Sequence, residues 1–500
     1  MNHHQMRSPV SLPHLRPVAV APPAPPVHRE KIIKNVRRLI YLYLILLLIE
    51  GALRKWLLPQ LANPLLIIRD PVVILIYIFA ISGGVFPRNR FVISVGVIAI
   101  LSWIMGILVL LPYLPPDVVI FTTGFGFRSN FLHLPLIFVI PAVFDAENVK
   151  RIGWWTIIGM IPMSVLMALQ FKASPDSFIN RAAGLGEGQQ IQTSGGKIRP
   201  PATFSFITGA IFYLSTTTAF LLHAALSKLE YKNWILFASG LSLIVAIGVS
   251  GSRGAVFAVA LVVASLGAIL LVRPDAMTKF GRNLLLVAIV AWAVSYVPVF
   301  REGVGLLSER FTESAEAAET TVIGGTMERM LSGFTEPLQI LDKAPFLGYG
   351  LGVGTNGGAR FLTGRSAFLL TENEWSRILL ESGPILGLAF LFWRTALAFY
   401  IGYLVLKQLM LGRTLPIFLF GAGFFALLNG SFGQPTSLGF AVVLNGLCLA
   451  AMNVPKTELK PALGPKRPTA PRSSSRSAYA ERLHGPAAPE NGQTNGSADR

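Results

Sequence analysis

The sequence is poor in charged residues and nearly free of cysteine. Charged side chains make up 14% of its 500 residues, against 52% hydrophobic side chains, whereas soluble globular proteins average about 25% charged residues. The low charge content excludes a soluble globular protein. Because the single cysteine, Cys448, lies in an apolar run, an intrachain disulfide framework and a cysteine-based metal site are excluded as well.

Several motifs of well-known enzyme classes are also missing. The sequence contains no recognisable internal repeat, dinucleotide-binding GxGxxG, Walker phosphate loop or zinc-binding HExxH. Acidic residues are fewer than basic ones, 25 against 43, which gives a net charge of +18. In a membrane protein this excess marks cytoplasmic loops first and anionic ligands second. No nucleic-acid partner is expected.

Apolar runs recur along the whole chain at the roughly 20 residues that a helix needs to cross a bilayer. The mean hydropathy of +0.57 agrees with this pattern. We therefore predict an all-α, polytopic membrane protein with about 12 transmembrane helices. The predicted spans are 39–58, 64–82, 91–112, 131–144, 153–170, 203–226, 233–249, 254–272, 283–300, 384–405, 414–430 and 437–453.

The two ends of the chain differ from this apolar region. Residues 1–38 carry seven prolines and no apolar core, so they are not a signal peptide, and residues 454–500 are rich in Pro, Ser, Ala and Gly. Neither segment can bury enough apolar surface to fold. We predict disordered cytoplasmic segments at 1–38 and 454–500 around a transmembrane domain at 39–453.

Basic residues in the short loops are biased to one side, as expected for cytoplasmic loops. One set of loops holds eleven Lys and Arg residues, beside seven in the N-terminal segment, and the opposite short loops hold two, Arg128 and Arg253. Both termini are therefore predicted to be cytoplasmic. Two longer segments then face outward, 171–202 and a large loop at about 301–383 between helices 9 and 10.

The large loop has a pattern of its own. An apolar stripe at helical spacing predicts an amphipathic pair of short helices on the membrane surface, because Pro337 should break or kink the helix near its middle. The stripe consists of Met327, Met330, Leu331, Phe334, Leu338 and Leu341. The glycine-rich run that follows, 344–358, permits an irregular backbone close to a ligand. A mere flexible connector is the alternative.

Arg253 lies in SGSRGA, a tight turn between two apolar helices, with Ser252 placed as the N-cap of the second helix. The N–H groups of a helix N-terminus together with a guanidinium form a suitable phosphate site. An arginine that extends to the membrane interface is the alternative. The loop after residue 300 follows two spans later, so it is expected on the same face as Arg253.

Two acids flank Asn373 just before the tenth span. Partial desolvation could raise the pKa of Glu372 or Glu374 towards that of a general base. Solvated acids at a helix start, where negative charge is favourable in any case, are the alternative. Charged residues inside or beside spans are functional sites or structural ion pairs: Glu50, Arg54, Lys55, Arg69, Asp70 and Arg394.

Four motifs in this order resemble the O-antigen ligase and polymerase superfamily of bacterial envelope glycosyltransferases. They are IRPPATF at 198–204, SGSRGA at 250–255, an arginine some fifteen residues before PFLGYGLG, and ENEW followed by LLESGPILGL. With the large loop, the resemblance covers most of the membrane region, about 39–453. It implies an O-antigen ligase-like domain of the bacterial inner membrane, whose active face is extracytoplasmic.

The resemblance also implies a reaction and its partners. A glycan of envelope polysaccharide or exopolysaccharide would move from an undecaprenyl-pyrophosphate donor to a hydroxyl of a lipid or saccharide acceptor, with inversion. The donor tail and membrane lipids would lie between or against the helices. Ligase and polymerase share this architecture, so that choice stays open. No D-x-D pair lies in the predicted outer segments, and no metal or other cofactor is expected.

Individual residues follow from the same resemblance. The family's two pyrophosphate-binding arginines correspond to Arg253 and Arg329, and Arg199 is a further expected phosphate contact. The family pattern then has a histidine, the proposed base, where this chain has Glu372. A carboxylate can serve as the base too, and Glu374 is the alternative.

Two other classes of function remain open. A transporter or flippase of lipid-linked saccharide also needs many spans and outward-facing arginines, but it usually shows inverted repeats and charges near the bilayer midplane. A non-catalytic member of a polysaccharide-export complex is suggested by the missing histidine.

Overall fold

The computed structural model describes residues 27–183, 190–192, 195–227, 231–272, 296, 298–317, 322–364 and 368–453. Within these ranges the chain is helical and forms no strand, and Gln192 pairs with Ile198 as an isolated antiparallel bridge. The all-α prediction is confirmed for this part of the chain. Segments 1–26 and 454–500, which include most of the predicted arm and the whole tail, lie outside the described residues.

The helices of the described ranges are numbered here in chain order. They are α1 (Val27–Ala52), α2 (Arg69–Ser82), α3 (Arg90–Leu110), α4 (Pro116–Phe127), α5 (Leu136–Val143), α6 (Ala146–Lys172), α7 (Ile207–Leu226), α8 (Asn233–Val249), α9 (Arg253–Val272), α10 (Pro298–Ala317), α11 (Val322–Leu341), α12 (Asn356–Thr363), α13 (Glu374–Met410), α14 (Leu415–Asn429) and α15 (Pro435–Ala450). Helix α1 begins at Val27, so residues 27–38, which were predicted to be disordered, are helical.

Six helices of the described ranges are long and apolar enough to cross a membrane, or seven if one bent pair forms a single span. The six are Pro64–Ser82, Arg90–Leu110, Ala146–Lys172, Ile207–Leu226, Arg253–Val272 and Glu374–Met410. Helices α8, α14 and α15 are apolar but shorter. The chain is thus a helical, membrane-embedded protein, and the total of twelve spans stays a prediction. The ninth predicted span, 283–300, lies mostly outside the described residues.

The short span predicted at 131–144 is the end of a longer, bent element. Helix α4 continues through a π-helical turn, Arg128–Leu132, and α5 follows at an angle of 41°. Pro135 precedes α5, where its missing N–H breaks no helical hydrogen bond. The bend therefore explains why the apolar run looked too short for a span.

Large apolar side chains cover the outside of several helices, and a second set fills the interior. Ile78, Ile100 and Phe399 are exposed, as residues that face lipid are, whereas Phe418 and Cys448 on α14 and α15 are fully buried. Helices α14 and α15 pack on each other and lie inside the bundle, although both are shorter than a typical membrane span.

Helix α13 consists of two helices joined at Gly383, whose φ of +73° and ψ of 172° leave the helical region. Pro384 follows and carries no N–H. The tenth span was predicted to begin at 384, where the second of these helices starts. The first, from Glu374 onward, was not predicted as a helix.

The glycine-rich run 344–358 packs into this break. Tyr349 and Gly350 donate backbone N–H groups to the carbonyl oxygens of Leu380 and Glu381, at 2.7 and 3.1 Å. These carbonyls precede the break, so the run supplies partners that the helix cannot. The glycines here approach the protein's own backbone, which makes the run a structural element rather than a flexible connector.

Gly352 offers a test of this packing. Its φ is +93°, and a methyl group there would collide with the carbonyl oxygen of Thr122 and lie 3.0 Å from the nitrogen of Gly126. We expect Gly352→Ala to lower the unfolding free energy by about 1–2 kcal/mol for the left-handed backbone and by about 1–3 kcal/mol more for overpacking. Thermal unfolding in detergent measures the difference.

Gly364 is the matched control, because its φ is +74° and a methyl group there would meet nothing within 4 Å. Gly364→Ala should therefore show the backbone effect alone. Equal losses of stability in the two variants would contradict the packing of the glycine-rich run against α4.

Candidate functional site

Four charged side chains form a buried cluster at the start of α13, which we call the α13 ion cluster. Arg377 pairs with Glu374 at 3.0 Å and with Glu381 at 2.7 Å, and Arg394 pairs with Glu374 at 3.0 Å. All four side chains are at least 95% buried. Two positive and two negative charges balance, which is the condition under which ions are tolerated in a low-dielectric interior.

Backbone groups from two other segments and a side chain from a third complete the cluster. Glu374 accepts from the N–H of Phe432, and Glu381 accepts from the N–H of Gly354, at 3.0 and 2.9 Å. Arg394 donates to the carbonyl of Gly430 at 2.9 Å. Asn130, from the turn after α4, accepts from Arg377 at 2.8 Å. The cluster thus ties α4, the glycine-rich run and the α14–α15 turn to α13.

A second buried set contains the five charged residues predicted near the first two spans. Glu50 pairs with Arg69 at 3.0 Å and lies 3.8 Å from Arg54, its partner four residues later. Asp70 pairs with Arg128 at 2.7 Å. Lys55 donates to the carbonyl of Ala202 at 2.6 Å. Four of the five are thus in ion pairs, and Lys55 is bound to a backbone carbonyl, which is the pattern expected of structural residues.

The two acids proposed as the base differ sharply in environment. Glu374 is 4% exposed, and its oxygens are occupied by the α13 ion cluster. Glu372 is exposed and lies just outside the helix. Only an exposed carboxylate reaches an acceptor hydroxyl, so the geometry favours Glu372 and gives Glu374 a structural part.

Asn373, between the two acids, caps α13 and joins it to α11. Its Oδ1 accepts from the N–H groups of Trp375 and Ser376, at 3.1 and 3.4 Å. Its Nδ2 donates to Glu336 and to the carbonyl of Ser332, at 3.2 and 3.4 Å. Helix α11 is therefore held beside Glu372.

Ring contacts strengthen the same junction. Phe334 packs edge-to-face on Trp375 with ring centroids 4.9 Å apart, and the Trp375 indole donates to the carbonyl of Leu428 at 2.9 Å. The predicted break at Pro337 is wrong, because α11 runs unbroken from Val322 to Leu341. A proline removes one helical hydrogen bond, but Pro337 is buried and Phe334, one turn earlier, packs on Trp375 of α13.

Arg329 lies on α11 one turn before Gly333. A methyl group at Gly333 would lie 2.6 Å from the side-chain nitrogen of Asn429, so α11 and the end of α14 are in close contact. The backbone carrying Arg329 is therefore beside the last turn of α14. The side chain of Arg329 itself lies outside the described part of the chain.

Arg253 begins α9, which runs antiparallel to α14. Phe257 packs edge-to-face on Phe425 at 5.7 Å, and Gly421 packs on Val262, five residues further along α9. This register brings the first turn of α9 to the last turn of α14, where α11 also lies. Arg253 is half-buried there.

The turn that precedes α9 also contacts the large loop. Gly303 on α10 packs on the carbonyl of Gly248, and the ring of Phe300 packs on the same glycine. Ser252, predicted as the N-cap, directly precedes α9, and its carbonyl accepts from the N–H of Ala255 at 3.0 Å. These contacts place α10 at the same end of the bundle as Arg253.

The other predicted outer segment reaches the same end. Lys197 pairs with Glu302 on α10 at 3.5 Å, and Gly195 packs on Leu306 of the same helix. Arg199 is half-buried two residues further along. The segments that carry Arg199, Arg253, Arg329 and Glu372 thus meet at one end of the bundle.

This end combines three arginine-bearing segments with one exposed carboxylate. Guanidinium groups bind phosphate in bidentate fashion, and a carboxylate accepts a proton. The arrangement can therefore hold an anionic group near a base. Among the residues that the structure describes, no three His, Cys, Asp or Glu side chains are grouped as metal ligands.

Sequence reasoning did not single out Arg377, Glu381 or Asn130. The first two follow Glu374 by three and seven residues, a spacing that places all three on one helix face and was available in the sequence. Asn130 is far away along the chain, and only the fold brings it to the cluster.

Comparisons with known proteins add no family assignment. No protein-family model matches the chain, and no curated protein matches it either. The resemblance described above therefore rests on the motifs and on the order in which they occur.

Proposed function

We propose that this protein is a membrane glycosyltransferase of envelope polysaccharide synthesis, which moves a glycan from an undecaprenyl-pyrophosphate donor to an acceptor hydroxyl. The observation that carries the proposal is the meeting of four distant segments, those of Arg199, Arg253, Arg329 and Glu372, at one end of the bundle. Three of them bring a guanidinium, and the fourth brings an exposed carboxylate.

The proposed reaction is a single displacement. Arg253 and Arg329 hold the donor diphosphate, and Glu372 takes the proton of the acceptor hydroxyl while its oxygen attacks the anomeric carbon. The bond from that carbon to the phosphate oxygen breaks as the new glycosidic bond forms, so the anomeric centre inverts. The arginines stabilise the charge that the leaving diphosphate gains. Because guanidinium groups supply this positive charge, the proposal needs no metal.

Glu372→Gln tests the base. The amide cannot accept the proton, so transfer should fall by about 10²–10⁴-fold, the usual share of general-base catalysis. The protein should stay folded, because Glu372 is exposed. Turnover of a lipid-pyrophosphate donor by the purified variant measures the effect.

Glu374→Gln is the informative comparison. It removes a buried charge that faces two arginines, so it should reduce the yield of folded protein. Normal turnover by Glu372→Gln, together with a folded but inactive Glu374→Gln, would move the base to Glu374.

The function itself is tested with purified protein in detergent. Micelles have no second compartment, so a transferase joins donor glycan to acceptor there and a transporter does nothing observable. In a strain lacking the protein, the glycan should accumulate on its lipid carrier. That second experiment also shows whether the missing product is a ligated or a lengthened chain.

A transporter or flippase of lipid-linked saccharide is the second candidate, and a buried polar chain favours it. His133 lies 2.9 Å from Asp70 and 2.9 Å from the Tyr43 hydroxyl, and Arg69 donates to that hydroxyl at 3.3 Å. Linked acids and histidines inside spans are typical of proton-coupled transport. Saccharide accumulation without transfer in sealed vesicles would favour this candidate.

A further inference from the structure

A cleft of about 1050 Å³ lies between α3, α5, α13 and α15. Its lining includes Arg90 at the start of α3 and Asn453 just after α15, so its polar end lies away from the start of α13. The basic loops predicted to be cytoplasmic belong to this end. Neither the proposed reaction nor its site uses the cleft.

One wall of the cleft is a stripe along α13. Ala389, Trp393, Ala396, Tyr400 and Leu404 follow each other at three or four residues and so share one helix face. At 1.5 Å per residue the stripe is about 22 Å long, whereas half of the hydrocarbon core is about 15 Å. The two alanines leave space between the larger side chains, so the stripe can accommodate an acyl chain along one leaflet.

Aromatic contacts join α3 and α5 to this stripe and fix one side of the cleft. The ring of Phe91 lies 6.2 Å from that of Phe138, 6.3 Å from Trp393 and 5.3 Å from Tyr400. The Trp393 indole donates to the carbonyl of Phe91 at 3.0 Å. A wall held by these contacts keeps its shape, which reduces the cost of ordering a bound chain.

The end of the cleft is polar and positively charged. Arg90 is exposed there, and its side chain makes no hydrogen bond or ion pair with another described residue. Its neighbour Asn89 caps α3 by accepting from the N–H of Val92 at 2.9 Å. The lining contains no acidic residue among those described. A phosphate at this end would therefore meet a guanidinium and no carboxylate.

We propose that the cleft binds one anionic glycerophospholipid, with its phosphate at Arg90 and an acyl chain along the α13 stripe. An apolar channel longer than the hydrocarbon part of one leaflet, with a cation at its polar end, can hold an amphiphile of this kind. This inference does not depend on the proposed function.

The test measures contact between lipid and Trp393, which is 4% exposed and lines the cleft. Full-length protein is placed in nanodiscs of phosphatidylcholine with rising fractions of phosphatidylglycerol whose acyl chains carry bromine, which quenches a nearby indole. The Trp393→Phe variant gives the contribution of the remaining seven of the eight tryptophans. Brominated phosphatidylcholine is the comparison lipid.

We expect the Trp393 fluorescence to be half-quenched at about fivefold lower fraction of phosphatidylglycerol than of phosphatidylcholine, the factor that one basic residue at a membrane surface supplies. Arg90→Gln should remove this preference. Arg88→Gln should keep it, because Arg88 is also exposed but lies outside the cleft.

Equal quenching by both lipids in the unaltered protein, or equal effects of the two arginine variants, would overturn the proposal. Ala396→Phe fills the cleft and should reduce quenching by either lipid. If Trp393→Phe does not fold, the part of the quenching that Ala396→Phe removes measures the lipid in the cleft. Undiminished quenching in Ala396→Phe would show that the lipid binds elsewhere.

Discussion

Arg377→Met should cost about 3–5 kcal/mol of folding free energy, the range for removing one partner of a buried ion pair. Arg377 is 3% exposed and bridges Glu374 and Glu381. In the variant Arg394 still neutralises Glu374 at 3.0 Å, so the charge left without an ionic partner is that of Glu381. Thermal unfolding and the yield of monodisperse protein in detergent measure the loss.

A second change identifies the cause. Arg377→Met combined with Glu381→Gln removes the orphaned charge and should recover part of the lost stability, since a neutral amide is cheaper to bury than a lone carboxylate. Arg360→Met is the matched control, because Arg360 is exposed and its hydrogen bond to Asn63 is at the surface. No recovery in the double variant, or an equal loss in the control, would assign the effect to shape rather than charge.

The sequence predicted the helices better than it predicted what holds them. Hydrophobic length identified the all-α class and most of the described apolar helices, because a bilayer requires about 20 apolar residues per span, but it missed α4 (Pro116–Phe127). The predicted span omitted the first turns of α13, because these turns are charged. Arg377 pairs with two acids of the same helix, but further partners of the acids come from distant segments. Nor did the sequence indicate that α11 continues through Pro337, which depends on tertiary packing.

For the candidate site, the number of predicted spans between Arg253 and the loop after residue 300 led us to expect both on the same face. The difference in burial between Glu372 and Glu374 is visible only in the fold. Glu372 and Glu374 are two residues apart, yet Glu372 is exposed and Glu374 is buried, with 4% of its surface exposed. The difference arises because Asn373 caps α13 between them, so that only Glu374 lies within the helix. The local pattern offered one difference, since Arg377 follows Glu374 by three residues whereas Glu372 has no basic residue at three or four. The partners of Glu374, Arg394 and Phe432, lie 20 and 58 residues further along.

Arg253→Ala and Arg329→Ala should each reduce glycan transfer by about 10²–10³-fold, the usual cost of removing one group that stabilises developing negative charge. Both arginines would contact the leaving diphosphate, whose charge rises in the transition state. Arg253 is only half-buried at the start of α9, so its loss should leave the protein in the membrane in normal amount. Single-turnover transfer by purified variants separates this loss from weaker donor binding.

Arg301→Ala is the control that separates the site from the general positive charge of this end. Arg301 is exposed on α10, next to Glu302, which pairs with Lys197, and it belongs to none of the matched motifs. If positive potential alone attracts the donor, all three variants should lose similar activity and lose it less at high salt, because screening weakens long-range attraction. If Arg253 and Arg329 bind the diphosphate directly, Arg301→Ala should keep nearly full activity. Normal transfer by both Arg253→Ala and Arg329→Ala would leave this end of the bundle without a catalytic role.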